Sequence, residues 1–130
     1  MPAQIYIASK TKHADRWRAL RAGGAPIISS WIDEDEPTSY PEFWGRCLRE
    51  IAHATSMVLY HEEGEVPKGS FVEVGAALAH LIPVFVVGDP PGTFVHYPLV
   101  KRRATVEEAI ASAVSFHEQE CGRHSEWSKR

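Results

Sequence analysis

Two cysteines in 130 residues, Cys47 and Cys121, are too few for a disulfide framework. Long apolar runs are missing as well: the longest, Ile82 to Val87 with Pro83 inside it, is far short of the roughly 20 residues that span a bilayer. The opening MPAQIYIASK has no charged region followed by an apolar stretch and a small-residue cleavage site, as a secretory leader would. Positive charge is not in excess either, since 17 Asp plus Glu outweigh 14 Lys plus Arg, for a net charge of −3. General attraction to nucleic acid or to an anionic membrane is therefore not expected. A cytoplasmic protein is expected, with a small molecule or another protein as its partner. What is present is enough for a core: 44% of the residues are hydrophobic, and a chain of this length buries roughly two thirds of its unfolded surface. One soluble domain, stable without metal or disulfide, follows.

The hydrophobic pattern alternates between strand and helix. Gln4 to Ser9 is a short β-rich run that ends in the polar cluster Ser9, Lys10, Thr11 and Lys12. From Lys12 to Ala22, the apolar residues Ala14, Trp17 and Leu20 recur at helical spacing, and Gly23 and Gly24 stop that helix. Pro26 to Ile32 is a second β-type run, followed by an acidic loop from Asp33 to Pro41 that Pro37 and Pro41 keep non-helical. Between Glu42 and Ala54, residues Trp44, Cys47, Leu48 and Ile51 form one helical stripe. Ser56 to Tyr60 is the third predicted strand, Gly69 to Leu81 a helix rich in Gly and Ala, and Pro83 to Val87 a fourth, fully apolar strand. A short extended piece spans Val95 to Val100, and a last helix runs from Thr105 to about Glu120, with Thr105 and Glu108 as its capping box. Residues 1–120 thus form the predicted domain and 121–130 a polar tail. Strands that alternate with helices and can be covered on both faces indicate an α/β protein, a three-layer flavodoxin-like or Rossmann-like parallel sheet. Ligands then bind beyond the carboxyl ends of the strands, where the strand order reverses.

The segment KGSFVEVGAA places Glu73 near that edge. Ser70 and Glu73 have the spacing of a capping box, in which the carboxylate only closes the helix start. Alternatively, a carboxylate in the first helical turn is held ionised by free N–H groups and serves as a nucleophile. Ser9, Lys10, Thr11 and Lys12 are either a solvated turn or the site of an anion such as a 5′-phosphate. Trp31 and Trp44 are either core or stacking platforms for a base. His117, Cys121 and His124 share a helical face but lack a fourth ligand, so no metal and no cofactor are predicted.

The strings IYIAS, EIAHATSMVLY and KGSFVEVGAALAHLIPVFVVG resemble the nucleoside 2-deoxyribosyltransferases and the related deoxynucleoside 5′-monophosphate N-glycosidases, over residues 4 to about 100. The resemblance implies that Glu73 attacks C1′ of the sugar and expels the base, leaving a glycosyl ester, and that Tyr6 orients it. It also implies a substrate pocket that includes Gly69 and Ser70, and a homodimer or higher oligomer in which His96 and Tyr97 complete a neighbour's pocket. Three carboxylates common in that family are absent here, where Cys47, Thr55 and Pro67 stand instead. The acid that protonates the base must come from elsewhere; Glu50, Glu62, Glu63, Glu65 and His61 are candidates, and Asp33, on the loop after the second strand, is preferred. The expected activity is cleavage or exchange of the base of a (deoxy)nucleoside or its 5′-monophosphate. Two alternatives stand beside it: an N-glycosidase acting on NAD or a nucleotide sugar, and a catalytically silent nucleotide-binding or interaction module.

Overall fold

The computed structural model describes the backbone of residues 2–128 and the side chains of residues 2–122. Four strands, β1 (Ile5–Ala8), β2 (Ser56–Tyr60), β3 (Val84–Val87) and β4 (Val100–Arg103), form one parallel sheet in the order β1-β2-β3-β4. Register aligns Ile7 with Val58, Val58 with Phe85 and Phe85 with Lys101. Side chains of one such row face the same side of the sheet and those of the next row the other. Phe85 meets Phe116 of α4 (Val106–Ser128) and Tyr60 meets Trp17 of α1 (Ala14–Ala22), so these two helices cover one face. Tyr6 points the opposite way, toward α2 (Tyr40–His53) and α3 (Gly69–Ala79). Arg16 of α1 and Glu107 of α4, 3.7 Å apart, link the first pair. This is the three-layer flavodoxin-like arrangement, with β1, β2 and β3 almost wholly buried between the helices.

The expected second strand, Pro26 to Ile32, is reduced to a single parallel bridge between Ile27 and Ile5. Side chains take over the ladder beyond that point. The Ile7 N–H donates to Ser29 Oγ (3.1 Å), and the Ile7 carbonyl accepts from Trp31 Nε1 (2.8 Å). With both backbone groups of Ile7 satisfied, the chain turns into a short 3₁₀ segment at Ser30–Asp33. Ile27 nevertheless lies outside β1 while β2 lies inside it, so the order reverses at β1 and a crevice opens there.

Three boundaries differ from expectation. Pro41 is the second residue of α2 rather than the close of the loop before it, because a proline in the first turn lacks only an N–H that would be unpaired anyway; Ser39 Oγ caps the helix by accepting from the Glu42 N–H at 3.4 Å. The piece expected at Val95 to Val100 is a 3₁₀ turn, Thr93–His96, and β4 follows it. This strand is an edge, so it needs only one apolar face, and its Lys101, Arg102 and Arg103 discourage pairing with a further strand. Finally, α4 continues past Glu120 to Ser128, capped by Thr105 Oγ1, which accepts from the Glu108 N–H at 3.1 Å. Among the described residues no helix is long and apolar enough to cross a membrane.

After β3 the chain turns at Gly88, whose φ of 103° is left-handed, and a Cβ there would overlap the carbonyl oxygen of His61 at the end of β2. Gly88→Ala is expected to destabilise the domain by about 2–4 kcal/mol, read as a lower melting temperature, since strain and overlap act together. An unchanged melting temperature would show that this turn is free to rearrange.

Candidate functional site

A cleft of about 260 Å³ opens at the carboxyl ends of β1 and β2. Ser9, Lys10 and Thr11, which follow β1, form one wall; Trp31 and the α2 residues Phe43 and Trp44 form an aromatic wall. Lys68, Gly69, Ser70 and Glu73, at the start of α3, close it. A Cβ at position 69 would come within 3.3 Å of Trp44 Cη2, so Gly69 lets the indole lie against the helix start.

Glu73 is 8% exposed and accepts a hydrogen bond at Oε2 from the Tyr6 phenol, which is fully buried. The capping-box reading of Ser70 and Glu73 does not hold. Helix α3 starts at Gly69 with Lys68 in the cap position and no side chain bonded there, which puts Glu73 in the second turn, out of reach of the cap. The expectation that backbone N–H groups hold the carboxylate ionised is corrected for the same reason. Burial pushes its pKa up from the ordinary 4.5 to about 7, and the Tyr6 hydrogen bond works the other way. Burial, with Glu73 beside it, likewise drives the Tyr6 phenol far above its ordinary value. The Cys47 thiol lies against the same phenol, and burial raises its pKa. Tyr6, Cys47 and Glu73, drawn from a strand and two helices, thus share one buried polar cluster beside the cleft.

Of the expected substrate-binding residues, Ser9, Lys10, Trp31, Gly69 and Ser70 come together here with Glu73. Others do not. Lys12 turns away to pair with Glu65 (3.4 Å) and Glu62 (3.8 Å). His96 and Tyr97 are exposed on the turn after β3 and do not line this cleft. Asp33 is held by Arg21 through two bonds of 2.7 and 2.8 Å, which lower its pKa, and it too lies outside the cleft. An exposed, ion-paired carboxylate kept ionised by its partner is a poor proton donor, so the preference for Asp33 as the acid is not supported. Three of the other candidates are engaged elsewhere: Glu50 accepts from the Ser30 N–H at 3.2 Å, Glu62 from the Tyr60 hydroxyl at 2.8 Å, and Glu65 meets His13 at 2.8 Å; Glu63 and His61 do not line the cleft.

Sequence reasoning missed Phe43 and Lys68. A lysine directly before a Gly-Ser helix start was a usable signal for the second; Phe43, four residues before Cys47, lies along the edge of the α2 stripe, and that spacing was a usable signal for the first. His13, Glu62 and Glu65 bring one ligand atom each within 4.8 Å of one another, but Lys12 already sits against both carboxylates. In the set on the last helix, Cys121 Sγ is 3.5 Å from His117 Nε2, and the His124 side chain lies outside the described residues.

Fold and cleft define a flavodoxin-like α/β domain with a buried carboxyl group at the reversal point of its sheet. No family model and no curated protein matches the sequence. Among solved structures, the chain is similar to a 2-desoxiribosyltransferase from Leishmania mexicana, with 16% identity, a TM-score of 0.65, and coverage of 89% of this chain and 99% of that one. It is also similar to a CMP N-glycosidase from Clostridium botulinum, with 12% identity, a TM-score of 0.50, and coverage of 84% and 96%. At such identities the likeness establishes a shared fold.

Proposed function

We propose that this protein is an N-glycosyl enzyme that cleaves or exchanges the base of a (deoxy)nucleoside or its 5′-monophosphate, with Glu73 as the nucleophile. The observation that carries this reading is the pairing of a buried Glu73 with Tyr6 at one end of an aromatic-walled cleft. Trp31, Phe43 and Trp44 offer surface to a flat base. Glu73 attacks C1′ as the bond to the base breaks, and Tyr6 orients the attacking carboxylate and favours its ionised form. The two solved structures of like fold, a 2-desoxiribosyltransferase and a CMP N-glycosidase, support N-glycosyl chemistry in general. Incubation with a mixture of deoxynucleosides, deoxynucleotides and NAD, followed by chromatography for freed bases, tests it. Freed base that disappears with Glu73→Gln supports the reading; no freed base leaves the silent binding module.

Lys10 and Lys68 both line the cleft, next to the start of α3, where no side chain caps the helix. A 5′-phosphate fits there, since charge-assisted hydrogen bonds each contribute roughly 1.5–3 kcal/mol. Lys10→Ala is expected to weaken monophosphate binding about tenfold or more, in a salt-sensitive way, and to leave nucleoside binding nearly unchanged. Lys12→Ala, outside the cleft, serves as the control. Equal losses for nucleoside and nucleotide in titration calorimetry would remove the phosphate from this wall.

The outer side of α3 shows Phe71 and Val72, and Phe71 packs edge-on against Phe94 at 5.6 Å, beside exposed Tyr97. This surface suits a homodimer in which His96 and Tyr97 reach the partner's cleft. Sedimentation equilibrium at micromolar concentration is expected to give a dimer; an active monomer would exclude a shared pocket.

A further inference from the structure

The cleft holds one carboxyl group, that of Glu73, and, among the described residues that line it, no second carboxyl and no imidazole to act as an acid; its lysines are far weaker acids than either. Two of the other polar side chains in the lining are already committed. Ser9 Oγ donates to the Lys10 carbonyl at 2.9 Å and accepts from Trp17 Nε1 at 2.8 Å, and the Trp31 N–H is spent on the Ile7 carbonyl. Behind Glu73, the Tyr6 phenol is bonded to the nucleophile itself and holds its proton more tightly than an ordinary tyrosine. Departure of a neutral base from an ordinary nucleoside needs a proton, and a positioned general acid contributes about 10²–10⁴ to the rate. The aromatic wall, by contrast, attracts a flat cation that lies over a ring face, with the Glu73 carboxylate beside it.

Resting on the nucleophilic reading of Glu73, we infer that the substrates of this site are N-glycosides of cationic aromatic bases, such as N-ribosylpyridinium or N7-alkylpurine nucleotides. Their bases need no proton in order to leave. A Glu73 oxygen forms a bond to C1′ while the C1′–N bond breaks, and the bonding pair passes to the ring nitrogen, so the base departs neutral. Water then attacks C1′ of the glycosyl ester, the C1′–O pair returns to Glu73, and one proton is released to solvent. Net, a cationic glycoside and water give a free sugar, a neutral base and one proton, with Glu73 restored. A bound cation also favours ionised Glu73, which is otherwise surrounded by Tyr6 from β1, Cys47 from α2, and Lys10 and Lys68 at the cleft wall.

The test compares nicotinamide mononucleotide and 7-methylguanosine 5′-monophosphate with GMP, dGMP and dCMP, using full-length protein and Glu73→Gln as the background. Freed base is read by chromatography and released protons by pH-stat. The expected result is a kcat/KM for the two cationic substrates about a hundredfold or more above the others, with one proton released per base. For nicotinamide mononucleotide, kcat/KM is expected to rise with pH through the ionisation of Glu73 and then stay level. A descending alkaline limb would reveal a required acid and overturn the inference. Faster cleavage of the unmodified nucleotides would also overturn it while leaving Glu73 as the nucleophile. Absence of freed base from every substrate would instead remove the N-glycosyl reading as a whole.

Discussion

Glu73→Gln is expected to reduce base release at least about a thousandfold, because an amide keeps the shape and the acceptor for Tyr6 but cannot attack as an anion. The same substitution separates catalysis from folding. Glu73 keeps its proton up to about pH 7 in the folded chain, against an ordinary 4.5. Between those values the folded state binds more protons than the unfolded one, so the carboxyl group makes folding less favourable as pH rises through this window, with no further change above it. Removing the carboxyl group is therefore expected to stabilise the protein at pH 8 by about 1–3 kcal/mol, and to change little at pH 4. Melting curves of both proteins at the two pH values read this directly. A variant that keeps its activity would end the nucleophile assignment, and a melting difference independent of pH would show that Glu73 is not buried as a titrating group.

The second large effect concerns Tyr6→Phe. Phenylalanine fills nearly the same buried volume, so the sheet and α3 stay in place, but Glu73 loses its hydrogen-bond donor. That bond lowers the carboxyl pKa. Without it, the pH at which activity reaches half its plateau is expected to climb by about one to two units, since hydrogen bonds to charged groups contribute about 1.5–3 kcal/mol. At pH 6 the loss of rate is then about tenfold to a hundredfold, with partial recovery at pH 9. The pH profile of kcat/KM for the variant and the wild type decides this. Parallel profiles with a common midpoint would mean that Tyr6 is only a packing residue.

These effects depend on a cluster that sequence spacing could describe only in part. Tyr6 and Glu73 were both singled out in the sequence, from residues 67 positions apart. The Ser70–Glu73 spacing, however, matched a capping box equally well. Only the helix start at Gly69, two residues earlier than such a box requires, ruled the box out. Cys47 sits on the apolar stripe of α2 and is buried, as the periodicity implied, yet its thiol also meets the Tyr6 phenol across the layer. Lys10 and Lys12 are chemically alike and two residues apart. The turn at Thr11–His13 sends one into the cleft and the other to Glu62 and Glu65.

Local chemistry by itself determined β1, β2 and β3, whose apolar runs have no stable place except inside a sheet covered on both faces. It also determined the helices, from apolar spacing and, for the last of them, from the cap at Thr105. The α/β order and the edge that carries the cleft followed from that alternation. Tertiary structure alone decided what happened where local preference met a competing partner. Pro26 to Ile32 has strand composition, but Ser29 and Trp31 satisfy the backbone of Ile7 with their side chains and end the pairing after one bridge. Asp33 stands on the expected loop, but Arg21 of α1 holds it away from the cleft. The pKa of Glu73 belongs to neither neighbour nor spacing. It arises from the water excluded when β1, α2 and α3 close around one carboxyl group, and desolvation is a property of the packed whole.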